Sequence, residues 1–149
     1  MAILVLGGAG YIGSHAARAL RRSGYEVVLY DNLSTGSRRL AQGFELVEGD
    51  IADEARLRPV LARIEAVMHF AAHAYVGESV ENPRKYFQNN VLGALSLLNS
   101  VLDAGIRRFV FSSTCAVYGI PEQMPITEHT PREPVNPYGA SKLFSRKRA

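Results

Sequence analysis

The chain of 149 residues is short of several things, and each shortage narrows what it can be. Cysteine occurs once, at Cys115, so no internal disulfide can form and a reducing compartment, the cytoplasm, is expected. No apolar run is long enough to span a bilayer, and no charged-then-apolar leader is read at the start, so no membrane role is expected. Excess charge is also scarce. Lys and Arg number 17 against 14 Asp and Glu. Three of the positives, Arg146, Lys147 and Arg148, sit together at the end, and the remainder is balanced. The basic isoelectric point therefore reports a tail and no nucleic-acid-binding face. Internal repeats, low-complexity stretches and linkers are missing too. The length suits one domain with a real core.

What is present begins at once. Ile3-Leu4-Val5-Leu6 is a short β-prone run suited to a strand buried on both faces. It leads into Gly7, Gly10 and Gly13, which read as G-x-x-G-x-x-G, and into a helical pattern from Tyr11 to Arg22 closed by Ser23-Gly24. Ile12, His15, Ala16, Ala19 and Leu20 are its expected packing residues. A strand turning tightly into a helix aims free backbone N–H groups and the positive end of the helix dipole at one point. A side chain there would block a pyrophosphate. A second apolar run, Val27-Val28-Leu29-Tyr30, lies in the expected second strand, Glu26 to Tyr30, and ends at Asp31, 18 residues past Gly13, placed to accept hydrogen bonds from an adenosine ribose. That carboxylate would repel a 2′-phosphate, so NAD is expected over NADP. Asn32, Leu33, Ser34, Thr35, Gly36 and Ser37 follow as a polar loop. Turn chemistry and cofactor contact explain its hydroxyls about equally well.

Phe44 to Val47 is the expected third strand, ending at Glu48-Gly49-Asp50-Ile51 on the sheet edge where ligands of open α/β sheets bind. Asp50 suits an adenine amine, and capping a helix over residues 53–63 suits it too. Ala66 to Phe70 is the fourth strand, running into Ala71-Ala72-His73, whose small residues admit a flat ring or a diphosphate. His69 and His73 lie about 13 Å apart if extended, too far to share an ion, and no metal is expected. Residues 83–105 carry a long helical pattern with Tyr86, Phe87, Val91, Leu95, Leu98, Val101 and Leu102 on its apolar face. Asn89 and Asn90 interrupt that face, and a buried asparagine needs partners, in a ligand or a neighbouring loop. Arg108 to Ser112 is strand five. The proline-studded stretch from Pro121 to Pro137 is long for a loop and suits an active-site wall. The fold expected is an α/β doubly wound parallel sheet of order 3-2-1-4-5-6.

A second chemical stretch is Asn136-Pro137-Tyr138-Gly139-Ala140-Ser141-Lys142. Asn suits a helix cap and Pro its first position. Tyr138 and Lys142 then share a face. A free tyrosine titrates near 10, but a lysine cation and a helix N-terminus both stabilise phenolate, making a base for a sugar hydroxyl. Thr114, at the end of strand five, can share a short hydrogen bond with the same hydroxyl. Cys115 has no histidine partner placed by sequence, and a small buried residue is expected there.

Together these stretches resemble the extended short-chain dehydrogenase/reductase family, specifically its UDP-glucose 4-epimerases. The matching residues are Gly7 to His15, Asp31-Asn32-Leu33, Gly49-Asp50-Ile51, His69-Phe70-Ala71-Ala72, Val76-Gly77-Glu78-Ser79, Gln88-Asn89-Asn90-Val91, Phe111 to Gly119 and Asn136-Pro137-Tyr138-Gly139. The resemblance implies a Rossmann-like NAD-binding domain. In it Gly7 to Gly13, with Tyr11 and Ile12, hold the pyrophosphate, and Asp31 to Gly36 hold the adenosine ribose. Asp50 and Ile51 meet adenine, while Phe70, Ala71, Ala72, His73, Ala74, Asn89 and Lys142 line the rest of the cofactor. Tyr138 is the implied base, with Thr114 as its hydrogen-bonding partner. The implied reaction interconverts UDP-glucose and UDP-galactose by transient oxidation to a 4-keto sugar. Related dehydratases place Asp-Glu after the strand-five threonine; Cys115-Ala116 stands here, which points to epimerisation.

Some epimerases carry a lysine at Ala74. Family members also continue into a C-terminal domain that holds the UDP-sugar. Residues 1–149 are therefore expected to be the cofactor domain with the substrate domain absent. A non-catalytic NAD-binding module, and an epimerase or decarboxylase for another nucleotide sugar, are the alternatives. With strand six missing, the edge at Arg108–Ser112 would lie open, so a homodimer or higher self-association is expected, through that edge or through the helices at 83–105 and 136–148.

Overall fold

The computed structural model describes residues 1–146. They divide into two compact units. The first holds Met1–Ala72 with Ser96–Ser112, and the second holds His73–Leu95 with the chain from Ser113 on.

The first unit is a five-stranded parallel sheet. Strands β1 (Ala2–Leu6), β2 (Glu26–Asp31), β3 (Glu45–Glu48), β4 (Ala66–His69) and β5 (Arg108–Phe111) lie in the order β3-β2-β1-β4-β5. This is the expected doubly wound order as far as strand five, with boundaries within a residue of those read from the sequence. Helices α1 (Tyr11–Arg22) and α2 (Glu54–Leu61) belong to the same unit. The strict alternation of β1 builds two cores from one strand. Ala2, Leu4 and Leu6 pack with Leu57, Val60 and Leu61 of α2 and with Leu97 and Val101. Ile3 and Val5 turn the other way, toward Ala9, Ala17, Val27 and Leu29. Leu4, Val5 and Leu6 are fully buried, because β1 is central and covered on both faces.

Helix α1 has the expected bounds, but its packing face is rotated. Gly13, Ser14 and Ala17 are buried, with Leu20 half-buried against the core. Ile12, His15 and Ala19 are exposed. Small residues face the sheet because the first turn must lie close to the strand end, and the larger side chains are left outside. Helix α2 is shorter than expected, and its cap is Asp53, whose carboxylate accepts the Arg56 N–H at 3.1 Å; Asp50 does not cap it.

The second unit is helical. It contains α3 (Val76–Glu81), a feature too short to show a period in sequence, and α4 (Pro83–Phe87). A π-helical segment, Gln88–Gly93, then leads into α5 (Ala94–Asp103), whose later residues belong to the first unit. The single helix expected over 83–105 is thus three pieces. The extra residue in the π turn shifts the apolar phase. Tyr86, Val91, Ala94, Leu97 and Val101 are buried, while Phe87 and Leu102 are exposed. A 3₁₀ turn, Cys115–Tyr118, and α6 (Pro137–Arg146) complete the unit. No regular element lies between them, as the prolines suggested.

Candidate active site

All five strands are parallel, so their carboxyl ends share one edge. Register sets Leu6 beside Tyr30 and His69, Asp31 beside Glu48, and His69 beside Phe111. The sheet order reverses between β1 and β4, and a crevice at such a point is where open α/β sheets take ligands.

Gly7 leaves β1 with φ +73°, a left-handed conformation that favours glycine. Its N–H donates to Tyr30 O at 2.8 Å, and a Cβ on it would lie 2.6 Å from Ala71 N. The Gly10 N–H closes the turn on Gly7 O at 3.1 Å. Gly13 packs so near that a Cβ would stand 2.2 Å from Gly7 O. Gly10 precedes α1 without any side-chain cap, and no acidic residue stands in the first turn. The start of α1 is therefore a cluster of backbone donors at the positive end of the helix dipole, left uncapped by the Gly10 position. Tyr11 and Ile12 are exposed there.

Asp31 is buried at the end of β2, only 8% exposed. Its Oδ2 accepts the Ala9 N–H at 2.9 Å and its Oδ1 accepts the Leu33 N–H at 2.8 Å. Each oxygen keeps a further lone pair for a ligand hydroxyl. Gly36 packs on the same carboxylate. The bend that brings it there needs Leu33 at φ +58°, a conformation that its sequence does not advertise. Asn32 donates to Asp50 Oδ2 at 2.9 Å, joining the two strand ends. The Ser34 N–H donates to Asn32 Oδ1, and Ser34 and Thr35 are exposed. The Ile51 side chain belongs to the core, so only its backbone can face a ligand. Phe70, Ala71 and Ala72 follow β4 half-buried, and Phe70 and Ala71 back against the two cores. This set suits an adenosine diphosphate group: an anion cradle that a Cβ would obstruct, and a pre-oriented carboxylate next to it.

The second unit carries the Tyr138 stretch. Asn136 caps α6, its Oδ1 accepting the Gly139 N–H at 2.8 Å, with Pro137 first in the helix. Gly139 lets α6 lie against the 3₁₀ turn, where a Cβ would be 2.5 Å from Ala116 O. Thr114 caps that turn, its Oγ1 accepting the Ala116 N–H at 3.2 Å. Cys115 is exposed, contrary to the buried position expected: it opens the 3₁₀ turn, whose buried residue is Val117. One helical turn after Tyr138, Lys142 is 3% exposed. Burial pulls its ammonium down to about 8 from an ordinary 10.5. The Tyr138 ring meets the edge of the buried Tyr86 ring at 6.3 Å between centroids.

A buried asparagine of the pair is expected to partner either a ligand or a neighbouring loop. Asn90 partners a loop: its Oδ1 accepts the His73 N–H and its Nδ2 donates to His73 O, both at 2.9 Å. The same Nδ2 donates to Ser141 Oγ at 3.1 Å, and Ser145 Oγ donates to Asn90 O at 2.7 Å. The serines were not expected; nothing in their spacing separates them from surface helix serines. Asn89 donates to Asn90 Oδ1 at 2.8 Å. The His73 ring packs on Tyr86 at 5.7 Å, and Ala74 is exposed. Among the described residues no group of three His, Cys, Asp or Glu side chains is arranged to hold a metal.

A glycine turn at the head of a central parallel strand, with an acid ending the next, defines a Rossmann-like dinucleotide-binding fold. The sequence profile of the NAD dependent epimerase/dehydratase family matches residues 3–148, and the chain belongs to that family. It is 52% identical over 142 residues to a UDP-glucose 4-epimerase of Rhizobium meliloti (strain 1021), covering 94% of this chain and 43% of that protein. The figures for a UDP-glucose 4-epimerase of Streptomyces lividans are 52% over 144 residues, 94% and 44%. Among solved structures, UDP-glucose 4-epimerase from Brucella ovis in complex with NAD superposes with TM-score 0.96 at 49% identity, covering 99% of this chain and 46% of that one. The Bifidobacterium longum UDP-glucose 4-epimerase with NAD+ and UDP gives 0.94 at 39%, covering 99% and 47%. The chain thus spans under half the length of these relatives.

Two substitutions probe the turn. Gly13→Ala should lower stability by more than about 2 kcal/mol, since backbone must move; Gly10→Ala, whose nearest neighbour would be at 3.2 Å, should cost roughly 1 kcal/mol or less by urea denaturation. Equal costs would mean that the turn relaxes around Gly13. Lys142 gives a pH signature. Between pH 8 and 10.5 the unfolded chain holds a proton on this lysine that the folded chain has released, so its burial penalty fades as pH rises. The stability advantage of Lys142→Met over the native chain should shrink by roughly 2 kcal/mol from pH 8 to 10. A constant difference would contradict the lowered ammonium.

Proposed function

We propose that this chain is the NAD-binding portion of a UDP-glucose 4-epimerase. Under this reading Gly7, Gly10, Tyr11, Ile12 and Gly13 take the pyrophosphate and Asp31 to Gly36 the adenosine ribose. Asp50 and the Ile51 backbone meet adenine. Phe70 to Ala74, Asn89, Tyr138 and Lys142 serve the remaining length of the cofactor. The observation that carries the reading is the buried Lys142 one turn beyond Tyr138 at a capped helix start, in a chain about half identical to 4-epimerases.

NAD held by these residues would supply a hydride acceptor, and then a hydride donor, for the sugar 4-carbon. This chain's residues handle the proton. Tyr138 takes it from the 4-hydroxyl as the ketone forms and returns it on reduction, so the base is regenerated. The Lys142 cation and the N-terminal end of α6 favour the phenolate during that interval. Thr114 Oγ1 hydrogen-bonds the same hydroxyl and orients it. Cys115 and Ala116 offer no acid–base pair for eliminating water. A non-catalytic NAD-binding module is the second reading, supported by the glycine turn and the Asp31 carboxylate, which lie within the first unit while the Tyr138 stretch belongs to the second.

We assign the chain to the cytoplasm, supported by its single cysteine; no helix among the described residues is long and apolar enough to cross a membrane. Self-association also belongs to the proposal. It is supported by β5 at the sheet edge, where Val110 is 54% exposed.

The purified chain with added NAD is expected to convert UDP-galactose to UDP-glucose, and Tyr138→Phe to lose conversion by at least about a hundredfold while still binding NAD. NAD binding without conversion in the native chain would select the module reading. Light scattering at micromolar concentration should show a dimer or larger; a monomer would remove the self-association.

A further inference from the structure

Tyr30 is fully buried in the core, yet its phenol reaches the far end of the site. Its hydroxyl donates to Asp50 O at 3.0 Å. It passes under Gly49 so closely that a Cβ there would lie 2.2 Å from Oη and 2.6 Å from Cζ. The same residue's carbonyl accepts the Gly7 N–H at 2.8 Å, and the Gly49 N–H donates to Asp31 O at 3.1 Å. One tyrosine therefore ties the glycine turn with its backbone and the end of β3 with its side chain. The Asp50 carboxylate is held in turn: Oδ2 accepts from Asn32 at 2.9 Å and Oδ1 from the Ala52 N–H at 3.0 Å. Each oxygen retains a lone pair, and Asp50 is exposed.

We propose that Tyr30 is a positioning residue for base selection: its hydroxyl fixes the Asp50 backbone so that the Asp50 carboxylate meets the 6-amino group of the cofactor's adenine. This rests on the reading above that Asp50 meets adenine. A 6-amino group donates to a carboxylate, whereas the 6-oxo group of hypoxanthine repels it, so the position of Asp50 decides which base is accepted. Burial, then the nearby Asp53 carboxylate, push the Tyr30 phenol up to about 12, so it remains a donor throughout the neutral range. A tyrosine hydroxyl that merely satisfied itself in the core would affect all dinucleotides alike.

The test measures dissociation constants of the full chain for NAD and for nicotinamide hypoxanthine dinucleotide, by calorimetry. The native chain should prefer NAD by about tenfold or more, the scale of one hydrogen bond to a charged acceptor. Asp50→Ala should abolish the preference. Tyr30→Phe should reduce it by roughly three- to tenfold, with hypoxanthine dinucleotide bound within about twofold of native. Preference lost in Asp50→Ala but intact in Tyr30→Phe would overturn the role of Tyr30 alone. Equal weakening of both dinucleotides in Tyr30→Phe would make the tyrosine merely structural and also overturn it. No preference, or no NAD binding, in the native chain would overturn the adenine assignment together with this inference. Should Tyr30→Phe fail to fold, Gly49→Ala, whose Cβ displaces the phenol, takes its place with the same expected and overturning results.

Discussion

The first unit depends on the close approach of Gly7 to its neighbours. Its N–H holds Tyr30 O, its Cα faces Ala71, and its own carbonyl receives both the Gly10 N–H and the packed Gly13. These contacts bind the ends of β1, β2 and β4 and the start of α1 within a few ångströms. Neither Gly7 nor Gly13 tolerates a Cβ in this arrangement. Once these contacts are made, the α1 dipole and the Asp31 carboxylate have fixed positions relative to β1. An anion cradle beside a ribose-accepting acid follows from backbone geometry more than from any particular side-chain reach.

The sheet supplies the rigidity that this turn needs. Alternate residues of β1 feed two cores, so the strand cannot slide or rotate without exposing one of them. Fully buried Leu4, Val5 and Leu6 lead directly into Gly7. A precise turn at the end of a well-packed strand is a general way to hold a ligand without strain in the ligand itself.

The second unit solves a different problem, presenting a tyrosine and a buried lysine from one short helix. Lys142 carries a desolvation penalty that would be hard to sustain in a loosely held helix. The polar belt of Asn90, Ser141 and Ser145 ties that helix to the π turn and to the His73 backbone. The π turn that carries Asn89 and Asn90 is part of the same arrangement. It breaks the apolar period of its helix and turns two amide side chains inward, a departure from regular helix of the kind that recurs at functional sites.

The sequence by itself determined the strands, their order, the glycine turn, the acid at Asp31 and the capped start of α6. These rest on local rules: alternation, spacing of glycines, and cap chemistry, all of which act over a few residues. Tertiary structure decided what depends on approach between distant segments. The α1 face bearing Gly13, Ser14 and Ala17 turned inward because the strand end demanded small residues, although larger apolar ones were available. Cys115 was left outside, Ile51 was drawn into the core, and the phase shift at the π turn left Leu102 at the surface. The link from Tyr30 to Asp50 across 20 residues has no local signature at all, since a tyrosine in an apolar strand reads as core. Only packing shows which buried hydroxyl ends beneath a glycine and beside a carboxylate.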